Sequence, residues 1–401
     1  MPFARRSALV VASAMLAAVV VCAAPADAST PSSSPDGGGV VRVQAAEPAD
    51  IAEAATARVA AMSTREKAAS VVMGHIPTTD AASLHDYMAR TGIGGFILMG
   101  ANIPATEQEL RGETAALTID PALPPLIAVD QEGGDVSRLP WDGFPASVAL
   151  KAETPSAVES AFAGRAALVQ RAGIGVNFGI VADVTDDRSM FIYRRALGTT
   201  PESGAANVTA AVHGEAGQTL STLKHFPGHG AAPGDSHGSI PSTSMPQQEW
   251  AATDALPFAA GIDAGARILM FGHLAYTAVD AAPASLSPTW HEIARRDLGF
   301  TGVAITDDLG MLEASGVPSY RDPVGNAVAA LAAGNDMVLS VMFTTADTAP
   351  RIVDGIVAAV DAGTLSADRL DDAAGRVVQL RLELAAEGRG LVPCADCAPA
   401  E

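Results

Sequence analysis

Residues 302–311 read Gly-Val-Ala-Ile-Thr-Asp-Asp-Leu-Gly-Met, an apolar run that ends in two adjacent acidic side chains. Such a run predicts a buried strand, which places the acidic pair at its carboxyl end. Comparable runs recur along the chain and alternate with longer Ala-rich segments of helical period. They span residues 94–100, 125–130, 175–183, 222–226, 267–273 and 336–342, with a weaker one at 70–74. This alternation predicts an α/β protein in which helices connect parallel strands.

Helical segments are predicted between these runs, and an early one begins with a capping-box sequence at residues 63–66. The others span residues 156–172, 202–217, 288–297 and 366–387. Polar residues stand at or near the ends of five strands: Asp130, Asp183, His225, His273 and Asp307. In a (β/α)8 barrel these ends meet at one rim, whereas a doubly wound sheet brings fewer of them together. We therefore expect a single-domain (β/α)8 TIM barrel over residues 51–390.

The composition is that of an acidic globular protein. Of 401 residues, 48% are hydrophobic and 17% are charged, which is enough apolar material for a core. The 45 acidic residues exceed the 25 basic ones, giving a net charge of -20. Such a charge repels phosphate backbones and anionic lipid surfaces, so we do not expect nucleic-acid binding.

The first 28 residues have the features of a signal peptide. Arg5 and Arg6 precede an apolar run over residues 8–24, and Ala26-Asp27-Ala28 has the small-x-small form of a cleavage site. The protein is therefore expected to be secreted; a transmembrane anchor is the alternative interpretation. Cys22 is a candidate for lipidation, which would make the protein a cell-surface lipoprotein.

The segments that flank the predicted barrel are short. Residues 29–50 begin with a stretch rich in Ser, Pro and Gly, which is typical of a disordered tether. The tail, residues 391–401, contains Cys394 and Cys397. Two cysteines supply too few ligands for a structural zinc site, so a small disulfide is the expected pairing outside the cell.

A long loop is predicted at the end of the strand 222–226. The sequence there is Lys-His-Phe-Pro-Gly-His-Gly at 224–230, followed by Asp235-Ser236-His237. Asp235 can hydrogen-bond one ring nitrogen of His237 and hold the tautomer that exchanges a proton through the other. An ordinary solvated turn is the alternative interpretation.

Two further motifs place carboxylates at strand ends. In Asp307-Asp308, strand alternation allows only one side chain to face the pocket, where it could attack the anomeric carbon of a sugar. The alternation does not say which one, and Asp308 could instead cap a helix. In residues 130–139, DQEGGDVSRL, Asp130 and Arg138 flank a Gly pair and suit hydrogen bonding to hydroxyls; a surface turn is the alternative.

Together these motifs resemble glycoside hydrolase family 3, and in particular its single-domain bacterial β-N-acetylhexosaminidases. The resemblance covers residues 63–377 and rests on KHFPGHG with the downstream DSH, on DQEGG, and on TDDLGM at 306–311. It implies a retaining exo-β-N-acetylglucosaminidase that forms a covalent glycosyl-aspartate and needs no cofactor or metal. The predicted export makes peptidoglycan-derived glycans the expected substrate, and a monomer is expected.

The resemblance also implies a role for each matching residue. Asp307 is the expected nucleophile, His237 the acid/base and Asp235 its partner. The expected substrate-binding residues are Asp130, Arg138, Arg195, Lys224, His225 and Met311. Two positions depart from the family pattern: Asp135 stands where Arg is usual, and Arg194 stands where Ser or an acidic residue is usual.

Other functions compete with this one. A metal-dependent hydrolase of the same fold would use ligands among His225, His229, Asp235, His237 and His273. A non-catalytic cell-wall-binding lipoprotein would keep the pocket without turnover. Within the family, a β-glucosidase, a xylosidase or a phosphorylase is the alternative.

Overall fold

Eight parallel strands form a closed barrel in the computed structural model, which describes residues 48–388. They follow one another around the ring in chain order, and β8 closes it on β1 through the pair Val338–Val72. The strands are β1 (Val72–Gly74), β2 (Gly95–Leu98), β3 (Leu126–Val129), β4 (Val176–Val181), β5 (Leu220–Phe226), β6 (Ile268–Phe271), β7 (Val303–Asp308) and β8 (Met337–Leu339). The predicted (β/α)8 barrel is confirmed, and each of the eight apolar runs overlaps one strand, although β5 begins before its predicted run, at Leu220.

Helices surround the barrel and connect its strands. They span Pro48–Ala61, Thr64–Ser70, Ala81–Thr91, Glu107–Leu117, Ser147–Leu150, Pro155–Arg171, Pro201–Glu215, Gln247–Ala252, Ala255–Asp263, Pro288–Glu292, Leu309–Ala314, Pro323–Ala333, Thr348–Asp361 and Ala367–Ala386. The capping box forms as predicted, with Ser63 and Glu66 each accepting a backbone N–H of the other. The segment predicted as one helix over 288–297 continues past Glu292 as a π-helical turn, Ile293–Asp297.

The last helix, Ala367–Ala386, closes the amino-terminal end of the barrel. Its Val377, Leu380 and Leu384 join the cluster of apolar side chains that fills the barrel interior. Arg381 donates to the carbonyls of Leu123 and Pro124, directly before β3. Because this end is filled, access to the strands is left at their carboxyl ends.

The first described helix begins at Pro48, within the segment 29–50 that composition assigns to a tether. It buries Ala55 and Val59 in the main apolar cluster, which gives its apolar side chains a partner surface. The leader with Cys22, residues 29–47, and the tail with Cys394 and Cys397 lie outside the described residues. Between Pro48 and Gly388, no helix is both long and apolar enough to cross a membrane.

Candidate active site

A cavity of about 440 Å³ opens where the carboxyl ends of the strands meet. Eight of the nine predicted site residues line it: Asp130, Arg138, Arg195, Lys224, His225, His237, Asp307 and Met311. The ninth, Asp235, is hydrogen-bonded to His237. The structure therefore brings together residues from β3, β5 and β7 that are far apart in the chain.

Paired charges form one wall of this cavity. The Lys224 ammonium lies 2.8 Å from Asp130 and 2.7 Å from Glu132, although Lys224 is almost fully buried. Arg195 donates to both oxygens of Glu132, at 2.7 and 2.9 Å. Burial alone would raise the pKa of Glu132, but Lys224 and Arg195 lower it to about 2. Glu132 is thus a fixed anion that orients two cations toward the cavity.

His225 is held by a buried carboxylate behind the cavity. Its Nδ1 lies 2.7 Å from Asp183, which also accepts the backbone N–H of His225 and of His229. Its Nε2 lies 3.2 Å from a nitrogen of Arg195, which can only donate. His225 therefore carries its proton on Nδ1 and accepts from Arg195. Asp183 does not line the cavity; it positions a residue that does.

The two adjacent aspartates at the end of β7 have different surroundings. The carboxylate of Asp308 accepts three backbone N–H groups, from Gly310, Val341 and Met342, at 2.8 to 3.0 Å. Burial raises the pKa of Asp308 to about 6. Asp308 thus caps the next helix, the alternative that its sequence position had suggested.

Asp307 is partly exposed and lines the cavity, and its Oδ1 accepts only the adjacent N–H of Asp308 among the described hydrogen bonds. Burial would raise the pKa of Asp307, but its interactions with His225, His273, the N–H of Asp308 and the Lys224 ammonium lower it. Asp307 is therefore an anion at neutral pH, with a carboxylate available to a ligand.

His237 stands on the predicted loop and lines the same cavity as Asp307. Its Nδ1 lies 2.7 Å from Asp235, whose carboxylate also accepts the backbone N–H of His237. Both side chains are about half exposed. Burial would raise the pKa of Asp235, but these two hydrogen bonds lower it. With Nδ1 bonded to Asp235, Nε2 is the nitrogen left to exchange a proton with a ligand.

The two departures from the family pattern contact each other. Arg194 donates to both oxygens of Asp135, at 2.6 and 2.9 Å, on the surface beside the cavity. Asp135 follows Gly133 and Gly134, whose φ angles of 84° and 75° only glycine adopts readily. Asp135 and Arg194 therefore form an exposed ion pair with each other.

Some functional contacts were not predicted from the sequence. Glu132 was part of a quoted motif, but nothing in that motif shows that Lys224 and Arg195 converge on it. Phe191 and Ser236 also line the cavity. His273, expected at the rim, lies behind it, with its ring nitrogens 2.7 Å from Ser285 and 2.8 Å from the carbonyl of Asp308.

Two other features of the described chain bear on the site assignment. No three His, Cys, Asp or Glu side chains of residues 48–388 stand close enough to hold one metal ion. A larger cavity, about 890 Å³, lies near the amino ends of β1 to β3, beside Arg381. It contains no residue of the three motifs, so the smaller cavity, with its paired charges and open carboxylate, is the candidate active site.

Sequence comparisons find a matching family profile and similar proteins. A profile described as the glycosyl hydrolase family 3 N terminal domain matches residues 63–380. A β-hexosaminidase of Pseudomonas aeruginosa is 40% identical over 259 residues, covering 62% of this chain and 74% of that protein. A β-hexosaminidase of Methylococcus capsulatus is 34% identical over 284 residues, covering 69% of this chain and 83% of that protein.

Solved structures show the same likeness. A glycoside hydrolase family 3 β-N-acetylglucosaminidase from Paenibacillus superposes with a TM-score of 0.75 at 29% identity, covering 85% of this chain. The superposition spans 65% of the Paenibacillus chain, slightly under two thirds. A β-N-acetylhexosaminidase from Beutenbergia cavernae superposes with a TM-score of 0.69 at 27% identity, covering 80% of this chain and 98% of that one.

Proposed function

Because the chain belongs to glycosyl hydrolase family 3 and is a glycoside hydrolase, we propose that it is a retaining, exo-acting β-N-acetylglucosaminidase. Its substrate would be a glycan with a terminal N-acetylglucosamine. The observation that carries the proposal is that an open anionic carboxylate, Asp307, lines the same cavity as His237, which is hydrogen-bonded to Asp235. The named activities of the relatives support the choice of sugar.

The first step would form a glycosyl-enzyme. The Asp307 carboxylate attacks the anomeric carbon while His237 donates its Nε2 proton to the leaving oxygen, and the glycosidic bond breaks. Asp235 accepts the hydrogen bond from Nδ1 throughout, so His237 keeps one orientation as its charge changes. The lowered pKa of Asp307 supports its role as the anionic nucleophile.

The second step would release the sugar. His237, now neutral at Nε2, takes a proton from water as the water oxygen attacks the anomeric carbon, and Asp307 leaves as a carboxylate. Two inversions at one carbon give net retention. Asp130, Arg138, Lys224 and Arg195 are suited to hold the sugar hydroxyls, since their charges are already oriented by mutual pairing.

We also propose where the enzyme acts. The leader predicted at residues 1–28 supports export, and Cys22 is the candidate site of a lipid anchor. Outside the cell, peptidoglycan-derived fragments are the nearest source of terminal N-acetylglucosamine. Detection of the protein in the medium or in a detergent-released membrane fraction separates a free from an anchored form.

The proposed activity is tested with aryl β-glycosides of N-acetylglucosamine, N-acetylgalactosamine, glucose and xylose. We expect the N-acetylglucosaminide to give the highest kcat/KM and the β-anomer of the sugar to appear first by proton NMR. An α-anomer would contradict retention, and a higher rate with glucose or xylose would contradict the sugar. A wild-type rate equal to that of Asp307→Ala would indicate a binding protein. Sugar 1-phosphate formed in phosphate buffer would indicate a phosphorylase.

A further inference from the structure

Ser236, which lies between Asp235 and His237, anchors the loop that carries His237. Asp235 and His237 are each about half exposed, yet Ser236 is only 3% exposed. Its Oγ lies 3.2 Å from Nε2 of His229, which is itself buried. The chain between His229 and Ser236 therefore forms a closed loop whose two ends are joined by side chains.

This contact is connected to the inner part of the site. The backbone N–H of His229 donates to Asp183 at 2.6 Å, and Asp183 is the carboxylate that also holds His225. A buried carboxylate thus fixes both a residue of the cavity wall and the base of the loop. Any displacement of His229 would change the position of Ser236, and with it the two residues on either side.

The aromatic ring of Phe191 also contacts His237. The centroid of Phe191 lies 5.6 Å from that of His229 and 5.6 Å from that of His237, with an edge-on angle of 75° to the latter. Phe191 also receives the guanidinium of Arg195 at 5.5 Å from its centroid. The half-exposed imidazole of His237 is therefore oriented by two contacts, Asp235 at Nδ1 and the Phe191 edge.

We propose that His229, Ser236 and Phe191 are positioning residues that hold the Asp235–His237 pair over the cavity in its proton-transferring orientation. The proposal rests on the proposed function, because it assigns the three residues to the delivery of the acid/base. Burial lowers the pKa of His229, so its ring stays neutral and can keep the hydrogen bond to Ser236 across neutral pH.

The chemistry gives this role a specific signature. Protonation by His237 matters most when the leaving group is a poor one, such as an alcohol or phenol of high pKa, and least when it leaves readily as a stabilised anion. A misplaced His237 would therefore slow the first step selectively. A general loss of folded protein would reduce all rates by the same factor.

The experiment compares Ser236→Ala with the wild type on phenyl and 2,4-dinitrophenyl β-N-acetylglucosaminides. We expect kcat/KM to fall at least about 10-fold for the phenyl substrate and less than about 3-fold for the dinitrophenyl one. Phe191→Leu should show the same selectivity. Ser236→Thr, which keeps the hydroxyl, should restore most of the activity. Ser244→Ala, at an exposed serine nearby, is the matched control and should behave as wild type.

Equal losses on both substrates, or none, would overturn the proposal. A second measurement does not depend on turnover: hydrogen exchange over residues 227–240 should be faster in Ser236→Ala than in the wild type and unchanged in Ser244→Ala. A wild type that hydrolyses neither substrate would contradict the proposed function alone. Unchanged exchange in Ser236→Ala would contradict the positioning role by itself.

Discussion

Each end of the barrel contains a buried carboxylate surrounded by basic side chains, but the surroundings of these side chains differ between the two ends. At the amino end, Asp336 precedes β8 and accepts from three arginines, Arg295, Arg369 and Arg376, as well as from a backbone N–H. At the carboxyl end, Glu132 is held between Lys224 and Arg195. Lys224 and Arg195 also line the cavity, beside a carboxylate, Asp307, that forms no ion pair with a Lys or Arg of residues 48–388.

The difference shows that buried charge alone does not mark an active site in this protein. Asp336 is fully buried and all its partners belong to the chain, so it joins the last helix to the barrel. Asp307 is partly exposed and lines a cavity that residues 48–388 leave open. Incomplete pairing, rather than burial or charge, distinguishes the end that holds the candidate active site from the opposite end.

The largest expected effect is on Asp307. We expect Asp307→Asn to lower kcat/KM on an aryl β-N-acetylglucosaminide by about 10,000-fold, because the amide cannot act as the nucleophile. Its melting temperature should stay near that of the wild type, since the carboxylate holds few groups of the protein. Steady-state kinetics and differential scanning fluorimetry measure the two quantities.

The neighbouring residue is the matched control for that prediction. Asp308→Asn should lower the melting temperature, because one carboxylate now accepts three backbone N–H groups. If instead Asp308→Asn abolished turnover in a folded protein while Asp307→Asn did not, the assignment of the two aspartates would be reversed.

The next largest effect is expected at the amino end. Asp336→Ala leaves three arginines without their shared carboxylate, so the free energy of unfolding should fall by about 3 to 5 kcal/mol. The folded fraction should keep the wild-type kcat/KM, because Asp336 lies at the opposite end of the barrel from the cavity. Urea unfolding and active-site-normalised rates check the two statements. If Asp336→Ala instead lost most of its kcat/KM without loss of stability, Asp336 would not have the purely structural role that distinguishes it from Asp307.

A third buried carboxyl group, Glu215, forms no ion pair among the described residues and tests how burial alone changes the pKa of an acid. It accepts a hydrogen bond from Asn177 at 2.6 Å, and burial raises its pKa from 4.5 to about 7. Because the folded state then binds the proton more tightly than the unfolded state, stability should fall as pH rises from about 4.5 to 7. The loss amounts to about 3 kcal/mol once Glu215 is ionised.

Replacing Glu215 isolates that contribution. The free energy of unfolding of Glu215→Gln, measured in urea at pH 5 and pH 8, should decrease less with pH than that of the wild type. Glu202→Gln, an exposed acid of the same helix, should retain the wild-type pH dependence. Parallel curves for Glu215→Gln and the wild type would show that Glu215 titrates normally.

The barrel was predictable from the sequence because its strands are buried on both faces. Each must be a short apolar run, and each polar side chain at its end then stands out, as in Asp130 and Asp307. The weak run at 70–74 was harder to recognise, since β1 has only three residues, Val72–Gly74. The barrel cannot close without β1. Closure depends on all eight strands, so the sequence of residues 70–74 alone does not reveal it.

The choice between Asp307 and Asp308 was not available from alternation. The register of β7 against β8 shifts between Ile305 and Asp308, so the simple rule of opposite faces does not hold there. The Asp308 carboxylate accepts hydrogen bonds from the N–H groups of Val341 and Met342, which follow another strand, β8. Likewise, Glu132 acquires its role from Lys224 and Arg195, more than 60 residues away, and no local pattern records such a contact.

The smallest effect is expected at the rim, for the pair Asp135–Arg194. Both side chains are about half exposed, and exposed ion pairs contribute little to stability even when the contact is bidentate. Arg194→Ala should therefore shift the melting temperature by less than about 2 °C. It should change kcat/KM by less than about 5-fold, because Arg195 keeps its own partner, Glu132, and does not depend on its neighbour.

Exchanging the two charges distinguishes a local pair from a substrate contact. Asp135→Arg combined with Arg194→Asp should restore the melting temperature lost by Arg194→Ala, since the same ion pair can form in the opposite sense. Asp135 lines the cavity and Arg194 does not, so the exchange also replaces a negative charge at the cavity wall by a positive one. A change in KM above about 10-fold in the exchanged variant would show that the charge at position 135 contacts the substrate. The Asp135–Arg194 pair would then be part of the substrate site, like Asp307, rather than a structural ion pair like those of Asp336.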